Sequence, residues 1–152
     1  MAPELDRPQP SGETLRFMQR LWDVVHAMEV RSKRMARTIG VTSPQRLVIR
    51  IIGQSPNIVA SDIAATLGIH PSTLTGILQR LQRHKLIARR ADPEDRRRVR
   101  FTLTPAGRHA DRARRGTVEA AVRRALVRAG EPAATHTAEL LELLAAELAR
   151  DD

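Results

Sequence analysis

The sequence predicts a mainly α-helical fold of about six helices that carries one small β-hairpin. Three observations lead there. Apolar residues recur every three or four positions over most of the 152 residues. A cap residue followed by proline marks helix starts at Ser43-Pro44 and Thr104-Pro105, and Pro71 opens another helix. Val99, Phe101 and Leu103 alternate with Arg98, Arg100 and Thr102, the pattern of a half-buried strand. Aromatic residues make up only 2% (Phe17, Trp22 and Phe101), so the core is aliphatic and alanine-rich. Helices of that kind bury little area each, which favours completing their burial against a partner chain.

Residues 1–12 hold Pro3, Pro8 and Pro10 with little apolar material and read as a mobile tail. Leu15, Met18, Leu21, Trp22, Val25 and Met28 then line one face of a long amphipathic helix running to about Arg37. Ser43 is expected to cap the second helix, with Pro44 as its first residue, Leu47, Val48, Ile51 and Ile52 inward and Gly53 at its end. A short helix covers about residues 60–67, with Ile63, Ala64 and Leu67 inward. Gly68-Ile69 turns the chain, and a helix from Pro71 to about His84 buries Leu74, Ile77, Leu78 and Leu81. Strands follow at 86–90 and 99–103, joined by the charged turn at 91–97. One helix is expected from Pro105 to about Ala129, and after Gly130 and Pro132 a last one to about Ala149.

A short helix, a tight turn and a second helix make a helix-turn-helix. The hairpin that follows makes it a winged one. Charge placement is an independent test. The chain carries a formal charge of +9. Nine basic residues stand against three acidic ones between Gln79 and Arg100, so a net +6 sits in this short stretch. A generic solvated face interleaves acids more evenly, and a local basic surface coinciding with a helix-turn-helix points to double-stranded DNA. With the buried stripe turned inward, Ser72, Thr73, Gly76, Gln79, Arg80 and Arg83 lie on the outer side of the second helix and Thr75 at its border. Gln79 is suited to adenine and Arg80 to guanine, and either residue is equally suited to a phosphate; Ser72 and Thr73 serve base edges, phosphates or only the helix cap. Arg96, Arg97 and Arg98 lie on a protrusion narrow enough for a minor groove. Asp95 at the tip of a basic hairpin is electrostatically costly and is expected to hold the turn by pairing with Arg97.

Val41-Thr42-Ser43-Pro44-Gln45, Ile63-Ala64-Ala65-Thr66-Leu67-Gly68-Ile69, Pro71-Ser72-Thr73-Leu74-Thr75, Asp92-Pro93-Glu94-Asp95-Arg96-Arg97 and Leu103-Thr104-Pro105-Ala106-Gly107 together resemble the MarR family of bacterial transcription regulators. The resemblance spans about residues 13–149. It implies a homodimer, with residues 13–40 and 105–149 as a helical dimerisation region and 41–104 as the winged helix-turn-helix. It also implies a pseudo-palindromic operator, usually repression of a neighbouring gene, and release by a small, often anionic aromatic effector. Ser72, Thr73 and Thr75 match the family's groove-facing positions, and Asp95 and Arg97 its Asp-x-Arg wing pair. Two residues depart from the pattern. Gly76 stands where a basic residue is common and costs about 1 kcal/mol relative to alanine in mid-helix, which suggests close approach to DNA. His70 stands at a cap position where Asp or Ser is usual, as a plain variant or as a source of pH sensitivity.

Trp22 and His26, one turn apart, with Arg46 or Arg50 form a candidate pocket for an aromatic carboxylate; the alternative places Trp22 in the core and the arginines on phosphate or solvent. The chain has no cysteine, which excludes disulfides, thiol redox sensing and cysteine-ligated zinc. The five histidines, at 26, 70, 84, 109 and 136, have no ligand-like spacing, and no cofactor is expected. No apolar run reaches a membrane span and no signal-peptide region is evident, so the cytoplasm is the expected location. No catalytic constellation stands out, so an enzyme is not expected. The competing reading to an operator-binding repressor is a non-specific architectural DNA-binding protein using the same arginines.

Overall fold

A computed structural model of the chain describes residues 12–150. The expected tail thus lies outside the described residues except for Gly12, which opens the first helix. In chain order the elements are α1 (Gly12–Thr38), α2 (Ser43–Gln54), β1 (Ile58–Val59), α3 (Ala60–Leu67), α4 (Pro71–Arg83), β2 (Ile87–Ala91), β3 (Val99–Leu103), α5 (Pro105–Arg112), α6 (Val118–Ala129) and α7 (Glu131–Leu148). They fall into two compact units, one ending at Arg112 and the other beginning at Ala113.

The first unit has a single aliphatic core. Val48, Ile49 and Ile52 of α2 meet Ile63 of α3, Leu74, Ile77, Leu78 and Leu81 of α4, and Ile87 and Phe101 of the sheet. The buried stripe expected on α4 is the observed one. The sheet is antiparallel with order β1-β3-β2, and Ile87 opposite Leu103 and Arg89 opposite Phe101 fix the hairpin register. β1 was not expected. Its two residues, Ile58 and Val59, pair with Phe101 and Arg100, and a segment that short carries no periodicity to read. Asn57, at φ +68°, turns the chain into it.

Three sequence expectations are corrected. Leu47, expected inward on α2, is exposed, and Ile49 is buried. The cap of α2 is Thr42, with Ser43 and Pro44 as its first two residues; the Thr42 N–H donates to Gln45 Oε1 at 3.0 Å, and the Ser43 N–H to Ser32 Oγ at 2.9 Å. The single helix expected over 105–129 is two, which makes seven helices among the described residues. Gly116, at φ +75°, turns the chain, and Thr117 caps α6 by accepting from the Ala120 N–H at 3.1 Å. α5 ends where the buried Arg46 guanidinium, 2% exposed, donates to the carbonyls of Ala110 and Asp111. These are among the carbonyls that a helix C-terminus leaves without intrahelical donors. Arg50 adds an ion pair to Asp111 at 2.9 Å.

Thr104 caps α5 as expected, accepting from the Gly107 N–H at 3.0 Å. A Cβ on Gly107 would lie 2.0 Å from the Leu86 carbonyl oxygen, so α5 approaches the hairpin backbone as only glycine permits. α1 buries Met35 alone, and α7 buries no residue. Leu15, Phe17, Met18, Trp22, Val25 and Met28 on α1, and Leu140, Leu141, Leu143 and Leu148 on α7, are all at least 41% exposed.

Gly107→Ala is expected to destabilise the protein by about 3 kcal/mol, because backbone cannot move aside as a side chain can. Gly76→Ala, with open space at its Cβ, is expected to stabilise it by up to about 1 kcal/mol. Arg46→Met is expected to cost about 2 kcal/mol by stranding the α5 carbonyls. Urea unfolding midpoints of the three variants check all three values.

Candidate nucleic-acid interface

α4 begins at His70, which is its cap. His70 Nδ1 accepts from the Ser72 N–H at 3.2 Å and lies 2.7 Å from Ser72 Oγ. With that nitrogen accepting, the Ser72 hydroxyl is held at the helix start. Thr75 Oγ1 donates to the Pro71 carbonyl at 2.9 Å, which leaves its oxygen free to accept. Ser72, Thr73, Thr75, Gln79, Arg80 and Arg83 are all exposed, and Gly76 is half-buried among them. The predicted outer face of this helix is therefore one surface.

The hairpin turn is built around two aspartates. Asp92 is buried although it sits at the root of a charged loop. Its Oδ2 accepts from Arg100 Nε at 2.7 Å and its Oδ1 from the Glu94 N–H at 2.9 Å. The hydrogen bond from Arg100 is the main reason its carboxyl is held below the usual carboxylate range, and the Glu94 N–H adds to it. The same pairing raises the Arg100 guanidinium. Asp95 does not ion-pair with the Arg97 side chain as expected. Its Oδ1 accepts from the Arg97 backbone N–H at 3.0 Å, and its Oδ2 lies 3.8 Å from Arg98 Nε. The Arg96 and Arg97 side chains are exposed.

Between α4 and the sheet runs a cleft of about 420 Å³ lined by Thr75, Gln79, Gln82, Arg89, Arg97 and Arg98, among others. Arg89 is a residue that sequence reasoning passed over. Its signal was present: strand alternation puts it on the same face as buried Ile87, turned toward α4. On the other side of α4 lies a depression of about 400 Å³ bordered by Thr42, Pro44, Gln45, Ser72, Thr73 and Arg80, with Gly76 and Ile77 in its lining. The surface is the exposed face of α4 between two clefts, beside the charged hairpin turn. Its chemistry is that of a polyanion receptor with hydroxyl, amide and guanidinium groups on a rigid element.

Of the residues expected to hold a ligand, Trp22 and His26 with Arg46 or Arg50, both arginines are engaged elsewhere. Trp22 is 71% exposed on α1 and belongs to no core. His26 is exposed on the same helix. Arg46 and Arg50 are engaged at the end of α5: the buried Arg46 guanidinium needs several acceptors and finds two carbonyls there, and the half-buried Arg50 pairs with Asp111. A cavity of about 700 Å³ does lie between α1 and α2, lined by Val25, Met28, Glu29, Ser32, Lys33, Ser43, Pro44, Leu47 and Ile69. Among the described residues no group of three His, Cys, Asp or Glu is placed to hold a metal ion, and no helix is long and apolar enough to cross a membrane.

Comparison with known proteins adds independent findings. Residues 41–99 match the model of the MarR family. An HTH-type transcriptional repressor of Mycobacterium tuberculosis is 28% identical over 109 residues, 72% of this chain and 78% of that protein. Two solved structures share the fold. MepR of S. aureus, determined in complex with DNA, is 22% identical with a TM-score of 0.70, over 86% of this chain and 96% of its own. The PcaV regulator of Streptomyces coelicolor, determined with its natural ligand, is 23% identical with a TM-score of 0.64, over 95% and 97%.

Because Asp92 is held below its ordinary range, its contribution to stability is complete above that range and fades as pH falls through it. Asp92→Asn is therefore expected to be less stable than wild type at neutral pH, with the difference closing on acidification. Urea midpoints taken from about pH 7 to about pH 3 test this, and a gap that stays constant over that range contradicts it.

Proposed function

With a MarR-family domain at residues 41–99 as the premise, we propose that this protein is a homodimeric, sequence-specific DNA-binding transcription repressor. The observation that carries the proposal is the coincidence of charge and shape. The nine basic residues between Gln79 and Arg100 lie on the end of α4, the two hairpin strands and the turn that joins them, all within the winged unit. Ser72, Thr73, Thr75, Gly76, Gln79, Arg80 and Arg83 form the reading face. Arg96, Arg97 and Arg98 supply phosphate and minor-groove contacts from the wing, and Arg89 joins the two from the cleft. MepR, a protein of this fold, is known bound to DNA, and the Mycobacterium relative is a repressor.

A second copy of the chain is the natural cover for the exposed apolar residues of α1 and α7, which exceed what a monomer ordinarily leaves in water. The dimer places two α4 helices on half-sites of a pseudo-palindromic operator, about 34 Å apart. A small-molecule effector, anionic and aromatic, is proposed to enter the cavity between α1 and α2 rather than the Trp22 site. There Val25, Met28, Pro44, Leu47 and Ile69 supply apolar walls and Lys33 a cation. PcaV provides the precedent of a ligand-bound protein with this fold.

The test is a fluorescence-anisotropy titration with a duplex selected by the protein from a random library, alongside an unselected duplex, over a potassium chloride series. The expected result is a steep loss of affinity with salt and a preference for the selected duplex of about a thousandfold. Sedimentation is expected to give twice the chain mass. A flat salt response overturns DNA binding, and equal affinity for both duplexes replaces the repressor with a non-specific architectural protein.

A further inference from the structure

The face of the sheet turned away from α4 carries a polar cavity of about 450 Å³. Strand alternation decides which residues reach it. Ile87 and Phe101 face α4 in the core, so Arg90 and Thr102, one position on along their strands or across from it, face the other way. Those two line the cavity from the hairpin. Asn57 lines it from the turn before β1 and Arg108 from α5, while Ile52 and Leu103 add apolar surface.

The charge in this cavity is unbalanced. Neither Arg90 nor Arg108 has an ion pair among the described residues. The carboxylates of the surrounding elements are already engaged. Asp92 holds Arg100 at 2.7 Å, and Asp111, whose Oδ2 lies beside Gly53, holds Arg50 at 2.9 Å. Among the residues lining the cavity there is no carboxylate.

The donors are held in place. Arg108 Nη1 donates to the Leu103 carbonyl at 2.9 Å, which fixes the guanidinium against the sheet and leaves its other N–H groups to the cavity. The Asn57 backbone N–H donates to the Phe101 carbonyl at 3.0 Å and fixes that residue at the edge of β3. The Asn57 side-chain amide and the Thr102 hydroxyl make no hydrogen bond among the described residues.

We propose that this cavity binds a small organic phosphate. Two unmatched guanidinium groups call for a dianion, and a phosphate monoester carries about −1.5 to −2 charges at neutral pH. Its oxygens match the planar guanidinium fork and accept from the Asn57 amide and the Thr102 hydroxyl. Ile52 and Leu103 take its organic part, and the volume falls within the range of about 300–1,000 Å³ usual for small-molecule sites. A monocarboxylate would leave one arginine unmatched. The site is separate from the cavity between α1 and α2 and from the exposed face of α4, and it does not rest on the DNA-binding reading. Its ligand touches α2, the hairpin and α5 at once, so binding stabilises the winged unit.

The test is a titration of the full-length protein with butyl phosphate in about 0.15 M potassium chloride, followed by amide NMR and by the thermal unfolding midpoint. The expected result is saturable binding with a dissociation constant of about 1 mM. Amide shifts are expected around Asn57, Arg90, Thr102 and Arg108, together with a rise in the midpoint. Butanol, the same body without the charge, is expected to do neither. Arg90→Gln and Arg108→Gln are each expected to weaken binding about tenfold or more, with urea midpoints confirming that both fold. Arg89→Gln removes the same charge from the same strand on the face toward α4, and is expected to bind butyl phosphate as wild type does. Protein saturated with the selected duplex is expected to bind it too. Shifts that grow without saturation, or an equal loss in all three arginine variants, reduce the effect to general charge and overturn the site. Loss of butyl phosphate binding in the duplex complex assigns the cavity to the DNA backbone and overturns it as well. Failure of the protein to bind any duplex removes the DNA reading and leaves this site standing.

Discussion

The winged unit depends on one buried cation. The Arg46 guanidinium lies within the aliphatic interior and takes up the Ala110 and Asp111 carbonyls at the end of α5. A charge at that depth is tolerated because its donors are satisfied, and helix-end carbonyls are acceptors that would otherwise need water. The same contact brings α2 and α5 close together. A Cβ on Gly53 would stand 3.0 Å from Asp111 Oδ2, and Leu103 at the end of β3 packs on the same spot. α2 in turn shares its core with α4. α4 also packs directly on Ile87 and Phe101 of the wing in that core, while Arg46 fastens α5 to α2.

Under the proposed function the two basic elements act on one polymer, and a rigid angle between them then matters. Phosphate contacts are additive only when their spacing matches the duplex, and a loosely hinged wing would lose ordering entropy at each encounter. The wing deals with its own charge in the same economical manner. Asp92 neutralises Arg100 at the root, opposite Arg90 on the neighbouring strand, while Asp95 holds backbone at the tip. Two of the acids thus shape the turn, while Arg96 and Arg97 at its tip stay exposed.

The apolar surface left on α1 and α7 tells a different story from the winged unit. Those helices have the periodicity of core elements and almost none of the burial. That exposure is the observation behind the proposed homodimer.

Local patterns were enough to place α1 through α4, the strand at 99–103, the cap at Thr104 and the buried stripe of α4, because each rests on periodicity or on a cap-proline pair within a few residues. The basic character of the interface was legible for the same reason, since charge is counted along the chain. Pairings between distant residues were not legible. Arg46 and Arg50 carried the same letters whether they faced a ligand or the end of α5, 60 or more residues away. Asp92 resembled simple turn chemistry until Arg100 was seen folded back onto it. β1 exists only because β3 offers it an edge, and the break at Gly116 competes with a helical pattern that runs through it on paper. Composition and local periodicity thus decided that this is a basic, helical chain with a winged motif between amphipathic helices. Tertiary packing decided which arginines are structural and which remain free, because only long-range burial determines where a charge finds its acceptors.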